Sequence, residues 1–269
     1  MVKIAIISDI HANLPALKAV LNDLGERKID QVFCLGDLVD FAPWPNEVIE
    51  LIRQERIPTL MGNHDERIAF NYPIVPLAKH NGSETTARTA AIDYSRQVIT
   101  PENKAFLASL PRQLQLRFSF ADVSINVLLV HASTRAIDEY IYANHDPDDL
   151  KAIMSEKEAD VLIMGHTHRS YIRALPDGSG SSDKRFSKVA INCGSVGRSK
   201  ETNPFATYLI MTISGEKTAF GPDSLTFDLV HVTYPIRETI DSIYASTIPD
   251  FYGDYLAGIT QDFLSETKV

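Results

Sequence analysis

The chain has 269 residues, 44% of them apolar and 23% charged, the balance of an ordinary globular protein able to bury a sizeable core. Its 26 Lys and Arg against 35 Asp and Glu leave a net charge of −9, which argues against a protein that grips nucleic acid through a general positive field. The longest apolar runs, such as Ile4 to Ile7 and Val161 to Met164, fall far short of the ~20 residues that span a bilayer, so no membrane partner is expected.

Val2 to Ser8 is a continuous β-branched apolar run, the pattern of a strand buried on both faces. Asp9 and His11 cut that run before the apolar core of a signal peptide can form, so the chain is expected to open on a strand. Pro15 and Gly25 frame a helix from about Leu14 to Leu24. A second strand, Gln31 to Leu35, a helix from about Pro45 to Gln54 and a third strand, Ile57 to Met61, complete a βαβαβ series and predict parallel pairing. Residues 66–110 carry no strand signal and read as a helical insertion, with Thr100 as N-cap ahead of Pro101.

Strand signals resume at Leu114 to Phe120, Ser124 to Val130, Val161 to Met164, Tyr171 to Ala174, Lys188 to Asn192 and Tyr208 to Thr212. Asp146 and Pro147 open a helix to about Met154, and the Gly- and Ser-rich stretch Pro176 to Lys184 reads as a mobile hairpin loop. From about 235 to 265 amphipathic helix signals recur, with Tyr244, Phe251, Tyr252, Tyr255 and Phe263 expected to pack a helical pair onto the sheet, or to line a homo-oligomer contact. No linker divides the chain, which predicts one domain over 1–269. Cys34 and Cys193 lie in or just after apolar runs and read as buried thiols of a reducing cytoplasm.

Five apolar runs end in residues of metal-ligand type. Ile4 to Ser8 runs into Asp9 and His11, Val32 to Leu35 into Asp37, Thr59 to Met61 into Asn63 and His64, Val127 to Val130 into His131, and Val161 to Met164 into His166 and His168. One such end alone is turn chemistry, but ligands of α/β sheets bind beyond the carboxyl ends of strands, and five of the eight histidines occur at these ends. The set offers imidazoles, carboxylates and an amide oxygen without a thiolate, which suits zinc, manganese, iron or a similar ion. It exceeds what one ion can use. Two ions about 3.5–4 Å apart would account for it, activating a bridging water and holding phosphoryl oxygens.

Asp9-Ile10-His11, Gly36-Asp37-Leu38-Val39-Asp40, Gly62-Asn63-His64-Asp65, His131 and Gly165-His166-Thr167-His168 resemble the five ordered motifs of the calcineurin-like metallophosphoesterase superfamily. Asn192-Cys193-Gly194-Ser195-Val196-Gly197 is similar to a later loop of its small prokaryotic phosphodiesterase branch. The resemblance implies two facing mixed sheets flanked by helices, with metals in the cleft at the strand ends. It implies Asp9, His11 and His168 as ligands of one metal, Asn63, His131 and His166 of the other, and Asp37 as the bridge. His64 would then protonate the leaving-group oxygen, with Asp65 as its orienting partner and Asp40 behind the ligands or in the turn. Two divalent cations follow (Mn, Fe, Zn or Ni, with Mn favoured), as does hydrolysis of a small phosphodiester or nucleotide-like substrate by a metal-bridging hydroxide.

The second motif lacks the Arg that clamps phosphate in the protein phosphatases of the superfamily, since Asp40 is followed by Phe41 and Ala42. Among Arg67, Arg88, Arg135, Arg169 and Arg198, the choices for substrate contact are Arg135 and Arg169, each within four residues of a motif histidine. His80, His145 and His231, the last on a late strand, read as structural. The competing readings are a nuclease, which needs a basic track this chain lacks, and a scaffold or nucleotide-binding regulator, in which decayed ligands would be expected.

Overall fold

Strands rich in Val, Ile and Leu with both faces apolar need helices on one side and another sheet on the other, and the chain arranges itself that way. The computed structural model describes residues 1–76, 81–119, 124–175, 188–214 and 225–258. One sheet has the order β2 (Gln31–Cys34), β1 (Val2–Ile7), β8 (Ala206–Ile213), β9 (Leu225–Val232), with β1 parallel to β2 and antiparallel to β8. The other has the order β3 (Gln113–Ser119), β4 (Ser124–Val130), β5 (Val161–Met164), β7 (Val189–Asn192), β6 (Tyr171–Ala174). Its three central strands are parallel and its edges antiparallel. Both sheets are therefore mixed, and helices flank them as the resemblance implied.

Side-chain alternation decides which residues meet between the sheets. Ile4 and Ile6 of β1, Leu209 and Met211 of β8, Val127 and Leu129 of β4, and Val161 and Ile163 of β5 fill one inner core. The intervening Ala5 and Ile7 turn outward onto α1 (Leu14–Glu26) and α2 (Pro45–Gln54). On the far side, Leu162 and Met164 pack beneath α6 (Pro147–Glu156), whose N-cap Asp146 accepts the N–H groups of Asp148 and Asp149 at 2.7 and 3.2 Å. The described residues between Asn63 and Ser109 form α3 (Asn63–Phe70), α4 (Gly82–Val98) and α5 (Pro101–Ser109), with Thr100 capping α5.

Two expectations require correction. Ile57 to Met61 does not form a strand; a single parallel bridge joins Cys34 to Thr59. Pro58 has no N–H to give a ladder, and the N–H of Met61 turns away to the carbonyl of Pro111 at 2.8 Å. The C-terminal helices α7 (Ile236–Tyr244) and α8 (Phe251–Leu256) do not pack onto a sheet either. α7 lies on α1 and α8 on α4, and Ile240, Ile243, Tyr252 and Leu256 close around Phe41.

Cys34 and Cys193 are buried free thiols, pushed up by burial. The late strand carrying His231 is β9, and the predicted loop 176–184, Phe120, Phe263 and His80 lie outside the described residues. No described helix is long and apolar enough to cross a membrane.

Candidate metal centre

Each parallel strand ends where its chain must turn away from the sheet, and the turns do so at a conformational cost. Asp9, His11, Asp37, His166 and His168 have φ of 53°, 50°, 55°, 63° and 59°. Left-handed backbone costs a side-chain-bearing residue about 1 kcal/mol or more and persists where surrounding structure demands it. Two glycines let the turns interlock. A Cβ on Gly62 would run into the Asp37 carboxylate, and one on Gly165 into Ser8 and the Asp9 carboxylate.

These turns gather Asp9, His11, Asp37 and His168 into one cluster and Asp37, His131 and His166 into a second, all buried. Asp37 belongs to both. Its Oδ1 accepts the N–H of His64 at 2.8 Å, while Oδ2 lies 3.7 Å from His11 Nε2 and 3.4 Å from His131 Nε2. Asp9 is held likewise, Oδ2 accepting the N–H of His166 at 2.9 Å and Oδ1 facing inward. Asn63, in the first turn of α3, sets its Oδ1 3.1 Å from His131 Nε2.

The imidazoles are aimed by backbone carbonyls. Nδ1 of His11, His131 and His168 lies 3.0, 3.0 and 2.6 Å from the carbonyl oxygens of Val39, Leu35 and Arg198. A carbonyl only accepts, so Nδ1 carries a proton, and in the neutral ring that leaves Nε2 as the lone pair a ligating histidine needs. Burial pushes His11 and His166 down to about 3 and His168 well below its usual value, keeping them neutral. His131 is also pressed down by burial, but the Asp37 carboxylate beside it prevails and raises it to about 9.

A divalent cation fits these donors on a direct observation. Nε2 of His11 and Nε2 of His168 face one another at 3.1 Å, although both are acceptors. Asp9 Oδ1 and His166 Nε2 are fully buried without a hydrogen bond. Buried acceptors turned toward a common point, with no donor among them, await a positive charge. The absence of sulfur suits borderline ions of the zinc and manganese kind without selecting one.

His64 is placed beside this cluster rather than in it, its ring centroid 5.1 Å from that of His11. Its partner differs from the expectation. Nδ1 lies 2.6 Å from Asp40 Oδ2, with Arg67 Nη1 3.3 Å away. Asp65 does not orient His64. It occupies the third position of α3, where its carboxylate accepts the N–H groups of Gly62, Asp37 and Leu38 at 2.9, 2.7 and 2.8 Å. It therefore clamps the Asp37 turn to the start of the helix. Burial lifts both Asp40 and Asp65 to about 7, and presses His64 well below the usual imidazole value.

The arginines fall out unevenly. Arg135 has its fork on Asp149 at 2.7 and 2.8 Å and on Glu139, so its donors already serve carboxylates. Arg169 is half-buried next to His168. Nearer to His64 stand Arg67 and Arg88, and around the cluster the rings of Phe41 and Tyr140 lie 4.7 Å from His11 and 4.3 Å from His166. Neither ring stood out in the sequence, because no spacing rule links them to the ligands. His145 and His231 pair with Asp149 and Glu201, consistent with structural roles.

Solved structures share this architecture. A metallophosphoesterase from Sphaerobacter thermophilus is 29% identical with a TM-score of 0.69, covering 96% of this chain and 99% of that one. A hypothetical protein from Pyrococcus horikoshii is 21% identical with a TM-score of 0.70, covering 95% and 98%, and speaks for the fold. An uncharacterised protein of Methanocaldococcus jannaschii is 32% identical over 261 residues, 94% of this chain and 96% of its own length. The family model described as calcineurin-like phosphoesterase matches residues 2–170, a span that holds every residue of both clusters. With two His/Asp clusters joined at one carboxylate and a profile match over most of its length, this chain belongs to the calcineurin-like phosphoesterase family.

Proposed function

We propose that the protein hydrolyses a small phosphodiester or nucleotide-like phosphoester with two divalent cations, manganese for preference. The carrying observation is that two buried ligand clusters share Asp37 while His64, which belongs to neither, stands next to them. Asp9, His11, Asp37 and His168 would hold one cation, and Asp37, Asn63, His131 and His166 the other. Such a pair supplies a nucleophile at neutral pH and neutralises phosphoryl oxygens.

The chain's own residues do the rest. The carbonyls of Val39, Leu35 and Arg198 keep three imidazoles in the ligating tautomer, and Asp65 holds the Asp37 turn against α3. His64 Nε2 has no hydrogen-bond partner among the described residues, so its free edge is available to the leaving oxygen. With the Asp40 carboxyl raised to about 7, that acid supplies a proton to Nδ1 while Nε2–H gives one to the departing alkoxide. The dyad ends as neutral His64, protonated on Nδ1, beside ionised Asp40. Arg169, adjacent to His168, is the proposed contact to the nonbridging oxygens.

Hydrolysis of bis-p-nitrophenyl phosphate, beside p-nitrophenyl phosphate and diadenosine tetraphosphate, tests this reading. Chelator-treated protein should be inert and manganese should restore turnover, with the diester ahead of the monoester. Two metals bound without turnover of any of the three overturns it.

A further inference from the structure

Among the described residues of this acidic chain, six arginines already sit on acids. Arg27, Arg53, Arg96, Arg112, Arg135 and Arg237 each lie against a carboxylate. Arg67 and Arg88 do not: among the described residues their hydrogen bonds go to His64 Nδ1 at 3.3 Å and to the carbonyl of Val75 at 2.9 Å. Arg88 is only 6% exposed. A guanidinium withdrawn from water without a carboxylate is costly unless an anion arrives to pair with it.

The two belong to one opening. Arg67 comes from α3 and Arg88 from α4, and the charges of both bear on His64 and on Asp40. The field of Arg88 also reaches Tyr140, whose ring lies on His166, and Tyr252, whose ring lies 4.7 Å from that of Phe41. The charge of Arg88 thus bears on His64, beside His11, and on Tyr140, beside His166, groups next to both ligand clusters. The acid whose charge bears on it, Asp40, already has Oδ2 engaged by His64.

We propose that Arg67 and Arg88 form an anion subsite beside the metal centre that holds a second phosphoryl group of the substrate. The protein then prefers substrates in which a further phosphate lies next to the scissile phosphorus, as in a nucleoside polyphosphate, over esters with one anionic group. This deepens the hydrolase reading and rests on it. Planar guanidinium forks match phosphate oxygens bidentately, and two forks from separate helices fix the distance between the two phosphorus atoms.

Calorimetric titration of manganese-loaded protein with pyrophosphate and with orthophosphate tests the subsite without turnover. Chelation alone favours pyrophosphate, so the comparison is made between variants. R88M and R67M are expected to weaken pyrophosphate by at least about tenfold and orthophosphate by less than about threefold, the loss of charged hydrogen bonds to one phosphate. R88K should fall between, keeping charge without the fork. An unchanged pyrophosphate-to-orthophosphate ratio in R88M and R67M, at unchanged metal content, overturns the proposal. If R88M fails to fold, R67M and R88K decide it by the same ratio. Bis-p-nitrophenyl phosphate, p-nitrophenyl phosphate and diadenosine tetraphosphate assayed on the same preparation separate the two readings: no turnover of any of the three with an altered ratio sinks the hydrolase, and turnover with an unaltered ratio sinks the subsite.

Discussion

At the strand ends, Asp9, Asp37, His11, His131 and His168 are each fixed by backbone groups of the neighbouring strand-end turns. Beside it, Arg67, Arg88, Tyr140 and Tyr252 are delivered by α3, α4, the segment after β4 and α8, and they are held mainly by side-chain and ring contacts. The first region is pinned by backbone groups and the second by side-chain packing. Backbone pinning suits cation ligands, whose geometry must be met within tenths of an ångström, whereas side-chain packing tolerates substitution more readily.

The sharpest way to break this contrast is Asp37→Ala. Because both clusters meet at that carboxylate, loss of metal from both and a fall in turnover of at least about 10³-fold are expected, read by metal analysis and by the diester assay. Retention of two tightly bound ions would show that the clusters are independent. Next come His64→Ala and Asp40→Asn, which should keep both metals and lose about 10²-fold or more on an alkyl phosphodiester. On a nitrophenyl ester, whose leaving group needs little protonation, the loss should be far smaller. Equal losses on both esters would reject a role in proton donation.

Asp65→Asn probes how far the backbone-pinned region depends on its clamp. Replacing a carboxylate that accepts three N–H groups should cost about 10–100-fold in metal affinity, measured by competition with a chelator. An affinity within twofold, about the limit of such a measurement, would make the clamp dispensable. The smallest effect is on pH dependence. His11 and His166, pushed down to about 3, stay neutral in the folded metal-free protein, while the unfolded chain protonates them near 6.5, and His64 and His168 are shifted the same way. A lowered folded pKa gives stability that is full above 6.5 and drains as pH falls toward 3. Asp40 and Asp65, raised to about 7, act in the opposite sense, losing stability as pH rises through that value. Four imidazoles outweigh two carboxyls, so Tm of chelator-treated protein should fall between about pH 6 and pH 4. A flat Tm across that range would mean that the cluster opens to water when empty.

The residues of the two clusters were legible because each follows an apolar run within a few residues, and a strand that ends in Asp or His marks itself locally. Asp65 was legible as a residue of interest but not in its role, since its bonds to Asp37 and Leu38 cross from one turn to another. The same limit applied to Ile57 to Met61, where an apolar run predicts a strand and Pro58 with the distant Pro111 carbonyl prevents one.

By itself the sequence determined what is periodic or adjacent: the two-faced strands, the helices that follow them, and the types and order of the Asp and His residues at the strand ends. Tertiary structure alone decided what depends on through-space approach between remote segments. It set Asp40 rather than Asp65 on His64, drew Arg135 onto two acids, turned α8 toward Phe41 instead of a sheet, and left Arg67 and Arg88 without acids beside the site. Hydrophobic periodicity acts along the chain and can be read from it, whereas the pairing of charges depends on which residues the packed core brings within a few ångströms.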